Sequence, residues 1–231
     1  MGCFIEIERF TMDVDLAVAL DLEDFPRFTR ELQTQGWTRD PRKEHRWYGP
    51  RGSTVDLLPA GPALRASKRL VWPESELVMS LVGFEHVFAM ALPAFGEGAR
   101  YGVASLPVLA LLKIIAFMDD PYGRGKDLLD LRTLFRAYEK DSDRIFDDDV
   151  FDADLEDVEY ANAYLLGKDV GSLVSGEEMN IVSAFLRREL LPDDEFSELN
   201  QEVNFAVLRV QHALRAFQKG LNYSTPGNPV T

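Results

Sequence analysis

The sequence predicts an α+β protein: a small mixed sheet with flanking helices, followed by a helical bundle. Three observations carry this. Short apolar segments separated by Gly- and Pro-containing turns fill the first 104 residues. From Ser105 onward the apolar residues recur at helical spacing to about Lys219. Between the two styles the text changes once, so the predicted domains are residues 1–104, mixed α and β, and 105–219, helical. Residues 220–231, rich in Gly, Pro, Ser and Thr, are expected to be a disordered tail.

The elements follow in order. Val14–Leu20 reads as a strand. A helix from about Glu23 to Gln35 is expected, with Asp21 or Asp24 as cap and Pro26 in its first turn, where a missing N–H costs nothing. Phe25, Phe28 and Leu32 form its apolar stripe, and Gly36 suits its stop. Strands are expected near Trp37–Arg39, His45–Tyr48 and Thr54–Leu58, the last two joined by the turn Pro50-Arg51-Gly52-Ser53. Further strands are expected at Leu77–Leu81, Val87–Leu92 and Tyr101–Ala104. The helices of the second half are read as Leu106–Met118, Lys126–Tyr138, Leu155–Leu166, Gly176–Leu190 and Glu195–Gln218. Ser105 is the expected cap of the first. Ser175 with Glu178 makes a capping box for the fourth.

Bulk properties narrow the function. The 231 residues are 46% hydrophobic and 28% charged, the balance of an ordinary globular chain. Cys3 is the single cysteine, so no intrachain disulfide forms, and a reducing, cytoplasmic setting is expected. The longest apolar run, Leu106–Met118, is too short to cross a bilayer, and no membrane partner is expected. The net charge of −14 argues against nonspecific binding of polyanions by the whole molecule. Between Thr38 and Trp72, however, eight basic side chains face three acidic ones. That stretch is either a phosphate-holding patch or a solvated hairpin.

The most informative residues are Asp13 and Asp15. Side chains two apart on a strand share a face, so two anions would sit together and repel unless a cation or a shared proton intervenes. Mg²⁺ suits such hard oxygen donors. The same spacing recurs at Asp147/Asp149 and Asp152/Asp154, in a run that reads as solvated surface, so spacing alone does not decide. Asp56 lies between apolar neighbours in Thr54–Leu58. It either joins Asp13 and Asp15 as a third carboxylate or faces water at a sheet edge. Lys113 is the one charge in an otherwise apolar helix, and a buried ammonium needs a carboxylate or the phosphates of a nucleotide. Asp127 could cap its helix, orient Lys113 or act as a base. Lys126 and Asp130 read as a surface pair.

Taken together, these motifs resemble a known family. Arg9-x-Thr11-x-Asp13-Val14-Asp15-Leu16 is similar to the Arg-x-Thr-x-Asp-Ile/Val-Asp signature of AbiEii-type nucleotidyltransferases, some of which are toxins of type IV toxin–antitoxin systems. Lys113 in its helix resembles the family's lysine motif, and Arg124-Gly125-Lys126-Asp127-x-x-Asp130-Leu131 resembles its Arg-x-Lys-Asp-x-x-Asp-Leu motif. The resemblance implies a nucleotidyltransferase fold and Mg²⁺ at Asp13 and Asp15 with Asp56. It implies Arg9, Thr11 and Lys113 at a bound NTP, and a catalytic or orienting Asp127. It also implies NMP transfer to an RNA such as tRNA, or to a protein hydroxyl, with a protein antitoxin as partner.

The family also carries a Gly-Ser or Gly-Ala-Thr phosphate loop ahead of the Asp-x-Asp strand. Only eight residues precede Arg9, so this chain is expected to lack it. A missing strand would leave an open sheet edge and favour homo-oligomers. The alternative expectation is a decayed nucleotidyltransferase scaffold whose acidic helical half docks a partner without catalysis.

Overall fold

A computed structural model describes residues 13–96, 99–196 and 205–224. Arg9, Thr11 and Cys3, and residues 225–231 of the predicted tail, lie outside the described residues; the tail's first residues, 220–224, are corrected, since they end the last helix, Phe205–Ser224. The chain forms two compact units, one ending at Glu85 and the other beginning at His86.

The first unit is built on a four-stranded mixed sheet in the order β1-β4-β3-β2: β1 (Asp13–Val18), β2 (Thr38–Arg39), β3 (Arg46–Tyr48) and β4 (Thr54–Pro59). β1 runs parallel to β4, and β4-β3-β2 are antiparallel. Parallel neighbours need a long crossover. It is supplied by α1 (Phe25–Thr34) and the β2–β3 hairpin. α1 ends in a Schellman motif: Trp37 N–H donates to the Leu32 carbonyl at 3.1 Å and Gly36 N–H to Gln33 at 3.0 Å. Gly36 takes φ 84°, a conformation that favours glycine. The β3–β4 turn closes as the sequence predicts, with Gly52 at φ 78° and Gly49 N–H donating to Ser53 O at 2.8 Å.

Alternation then sorts the sheet's two faces. Trp47 and Leu57 point to the core with Phe25, Leu70, Trp72 and Leu81. Their neighbours Arg46 and Asp56 point the other way. Trp72 packs edge-on against Phe25, with ring centroids 6.2 Å apart.

Two elements of this unit were not expected. A short helix, α2 (Pro62–Ser67), follows Gly61. Its exposed N–H groups are satisfied from a distance: the Asp21 carboxylate accepts from Leu64 N–H at 3.0 Å and Ala63 N–H at 3.3 Å. Asp21 therefore caps α2 rather than α1, and Asp24, at the head of α1, makes no side-chain cap bond. The second is β5 (Arg69–Val71), which pairs with β6 (Val78–Ser80).

The predicted strand Val87–Leu92 is corrected. Phe84–Ala89 forms α3, entered through Gly83 at φ 82°, and the strand β7 begins only at Leu92. The Met90 N–H to His86 carbonyl bond, 2.9 Å, prolongs the helical pattern. Local i,i+4 bonding here overrides the β-preference of Val87 and Phe88. β7 (Leu92–Gly96) pairs with β8 (Ala99–Val103).

The rest of the second unit is helical: α4 (Leu106–Asp119), α5 (Gly125–Ala137), α6 (Asp148–Asp152), α7 (Ala161–Leu173), α8 (Gly176–Glu189) and a last helix, Phe205–Ser224. α7 starts six residues later than the sequence suggests. Asp154 at φ 50° breaks the chain direction, and the Asp157 side chain accepts from Glu159 N–H at 2.9 Å, capping a 3-10 turn first. The Ser175/Glu178 capping box forms, whereas Ser105 heads α4 without a side-chain bond. α7 and the last helix approach closely through Gly167, Gly171 and Gly220, where a Cβ would collide with backbone atoms of the facing helix. Tyr164, Phe185, Phe217, Leu165 and Leu111 are fully buried in this core. Among the described residues no helix is long and apolar enough to cross a membrane.

Candidate active site

In the first unit the parallel register sets Asp15 opposite Asp56, and the antiparallel register sets Arg46 opposite Asp56. Asp13, two residues from Asp15, shares that face. The three carboxylates named from the sequence thus sit on one face of the sheet, with a guanidinium among them. Arg46 is the residue that sequence reading missed. Its Nε donates to Asp56 Oδ1 at 2.8 Å. Its Nη2 donates to Asp56 Oδ2 at 2.7 Å and to Asp13 Oδ2 at 2.6 Å. The signal was available: strands symmetric about the Pro50–Ser53 turn pair Tyr48 with Thr54, and so Arg46 with Asp56.

Charge and burial act against each other here. The Asp56 side chain is 12% exposed. Burial pushes its carboxyl up, but the Arg46 hydrogen bonds and the nearby charges of His45 and Arg46 outweigh this and hold it below the usual carboxylate value. Arg46 is correspondingly raised, chiefly by its hydrogen bonds to Asp56. His45 Nε2 lies 3.9 Å from Asp56. Burial holds its imidazole below the ordinary value, although Asp56 pulls the other way.

The donor set suits a hard divalent cation, because three carboxylates on one face offer only oxygen. Among the described residues, however, no group of three or more His, Cys, Asp or Glu side chains is arranged as a metal cage. Arg46 engages both oxygens of Asp56 and one of Asp13 instead.

Three of the eight basic residues between Thr38 and Trp72 pair with acids of the same unit. Arg39 Nη2 pairs with Glu74 at 2.6 Å and Arg65 Nε with Glu85 at 3.1 Å, in addition to Arg46 with its two aspartates.

In the second unit Lys113 projects from α4 onto α5. Its Nζ donates to Asp127 Oδ1 at 2.9 Å and Asp130 Oδ2 at 2.6 Å. Arg124 Nε donates to the other Asp127 oxygen at 2.7 Å. Of the partners open to Lys113, the chain itself supplies the carboxylate. Asp130, read from the sequence as the i,i+4 partner of Lys126, meets Lys113. Asp127 is wholly buried with an ion pair on each oxygen, an arrangement that holds Lys113 in place. Burial lowers the Lys113 pKa, but Asp130 and Asp127 more than compensate, so the ammonium is held above its ordinary value and stays charged. The Lys113 side chain remains 24% exposed.

The acidic run from Asp141 is not all solvated surface. Asp149 accepts from Lys168 Nζ at 2.7 Å and from the Tyr164 hydroxyl at 3.0 Å. These bonds fix α6 to α7.

Searches of curated proteins and of solved structures find no match. One family model does match, described as nucleotidyl transferase AbiEii toxin, type IV TA system, and it covers residues 1–226. The mixed sheet with its carboxylate face, the helical second unit carrying Lys113 and Asp127, and this near-complete match agree: the chain belongs to the AbiEii nucleotidyl transferase toxin family.

Proposed function

We propose that the chain is a divalent-metal-dependent nucleotidyltransferase that moves NMP from an NTP to a hydroxyl of an acceptor, an RNA such as tRNA or a protein. The observation that carries this reading is the register of β1 with β4, which sets Asp15 beside Asp56 and Asp13 on the same face. Asp13, Asp15 and Asp56 would hold Mg²⁺. When bound, that ion would supply neutralisation of the charge developing on the transferred phosphoryl group.

In the transfer the acceptor oxygen attacks the α-phosphorus. The new O–P bond forms as the bond to the β-phosphate oxygen breaks, pyrophosphate leaves, and the hydroxyl proton passes to water. The likeness of its helix to the family's lysine motif supports a role for Lys113 as a cation for the triphosphate, and Asp127 and Asp130 keep it charged and oriented. Asp127 acts by positioning Lys113, with one oxygen on that ammonium and the other on Arg124. The likeness of Arg9-x-Thr11 to the family signature supports a role for both at the nucleotide.

Incubating purified protein with α-labelled NTPs, Mg²⁺ and bulk tRNA should label the RNA. Asp13→Asn and Asp15→Asn should abolish labelling while far-ultraviolet circular dichroism stays unchanged. Neither NTP binding nor label transfer to RNA or protein in the wild type would sink this reading in favour of a noncatalytic interaction module. As a toxin, the protein should halt growth when expressed, and a neighbouring antitoxin gene should relieve it.

A further inference from the structure

We propose that Arg46 is the resident cation of the carboxylate face: a positioning residue that spans Asp13 and Asp56 in the metal-free chain and gives up Asp13 when a divalent ion enters. This rests on the assignment of Asp13, Asp15 and Asp56 as metal ligands.

The geometry is specific. Arg46 engages Asp56 as a two-pronged fork, 2.8 Å from Nε and 2.7 Å from Nη2. Nη2 also carries the 2.6 Å bond to Asp13. One nitrogen thus ties together carboxylates from β1 and β4, the two strands that a metal bound between Asp13 and Asp56 would bridge. The Arg46 backbone is fixed on both sides: its N–H donates to Lys43 O at 2.9 Å, and its carbonyl accepts from Asp40 N–H at 2.8 Å. β3 pairs it directly with Asp56. Arginine is suited to this role because its planar fork matches a carboxylate and stays charged.

The two carboxylates differ in a way that sets which one is released. The Asp56 side chain is 12% exposed and doubly bonded, whereas that of Asp13 is 37% exposed and holds Arg46 through a single hydrogen bond. An incoming ion meets Asp13 from solvent. It displaces the Arg46 bond there and leaves the Asp56 fork to keep the arginine side chain in place. Without Arg46, three carboxylates on one sheet face would repel each other in the absence of metal. With it, the repulsion is offset without metal, and an ion that takes Asp13 Oδ2 displaces the Arg46 bond there.

A salt bridge with no such role would behave differently on replacement, because its loss would cost the same stability with or without metal. Calorimetric titration of Mg²⁺ and Mn²⁺ into the full chain, with thermal unfolding in EDTA and in Mg²⁺, separates the two. Arg46→Gln should bind metal on the order of tenfold more tightly, the scale of one charge-assisted bond no longer displaced. Its Tm should fall below wild type in EDTA and recover in Mg²⁺. Arg46→Lys, which keeps the charge but not the fork, should fall between. If Arg46→Gln is unfolded without metal, refolding on addition of Mg²⁺ supports the proposal, and failure of Mg²⁺ to restore it counts against. Equal or weaker metal binding by Arg46→Gln, in a wild type that does bind, overturns the role of Arg46 and leaves the nucleotidyltransferase assignment standing. No metal binding by any of the three proteins overturns both.

Discussion

Replacing Lys113 by methionine tests the buried ion-pair cluster of the helical unit most directly. The change keeps an unbranched chain of similar length in an apolar helix, so packing is nearly conserved and the loss is chiefly electrostatic. Asp127, fully buried, would keep Arg124 on one oxygen at 2.7 Å and lose its 2.9 Å partner on the other. Asp130, 28% exposed, would gain water in place of its 2.6 Å bond. Breaking a buried pair from one side costs about 3–5 kcal/mol. With Arg124 retained and Asp130 part-hydrated, the lower end applies, about 3 kcal/mol.

Asp127→Asn is milder, about 2 kcal/mol, because Lys113 keeps Asp130 and the Arg124 side chain is already 40% exposed. The two residues share one contact, so their losses overlap. The double variant should cost about 3 kcal/mol, a coupling of about 2 kcal/mol. Urea unfolding followed by far-ultraviolet circular dichroism reads this, since the long helices lie in the second unit. Trp37, Trp47 and Trp72, the three tryptophans of the chain, all precede Glu85, so their fluorescence follows the first unit separately. Losses that add to within about 0.5 kcal/mol would refute the reasoning, because Lys113 and Asp127 would then be energetically independent.

Three further outcomes are expected. Gly61→Ala should destabilise the first unit by about 2 kcal/mol, because a Cβ there collides with Asp21 and breaks the remote cap of α2; the tryptophan-fluorescence unfolding midpoint reports it. Gly220→Ala should cost about 3 kcal/mol on the circular-dichroism transition, since its Cβ would overlap the Tyr164 carbonyl where the two helices meet. Asp56 is held below its ordinary value of 3.8 in the folded chain. The unfolded state therefore binds its proton first as pH falls: the stabilisation is whole above that ordinary value and is lost below it, through the folded value. Urea midpoints measured through the acid range should fall less steeply for Asp56→Asn than for wild type, and parallel slopes would remove Asp56 from the acid response.

How much of this was legible in the sequence depends on how far each feature reaches. Gly36, the Pro50–Ser53 turn and the Ser175/Glu178 box act within a few residues, and each forms where the sequence places it. Asp21 was read as a cap, correctly in kind, but for the wrong helix. Its partners, Ala63 and Leu64, are about forty residues away and meet it only once β1 and β4 pair. Val87–Leu92 was misread because apolar β-branched and aromatic text describes a strand or a short buried helix equally well. Asp149 looked like one more solvated acid, and only the approach of α7 gives it Lys168 and Tyr164. At the candidate site the carboxylates stand out by residue type and spacing. Arg46 does not, because a single arginine in a basic stretch carries no local mark. What singles it out is strand register, a property of three strands at once.

The two clusters obey one electrostatic rule. A carboxylate row in a sheet and an ammonium in an apolar helix are each costly alone, and in each case the chain carries its own counter-charge, Arg46 for Asp13 and Asp56, Asp127 and Asp130 for Lys113. Ligands of the expected kinds therefore meet groups that already have partners. On the proposed assignment, a metal at Asp13 would compete with an arginine, and a phosphate at Lys113 with two aspartates. Measured affinities for either will be net of the internal bond given up, so intrinsic binding strength is visible only against variants in which the internal partner has been removed. The same bonds keep each cluster ordered before its ligand arrives, and so lower the entropy lost on binding. Affinity and preorganisation are set against each other in the same few side chains.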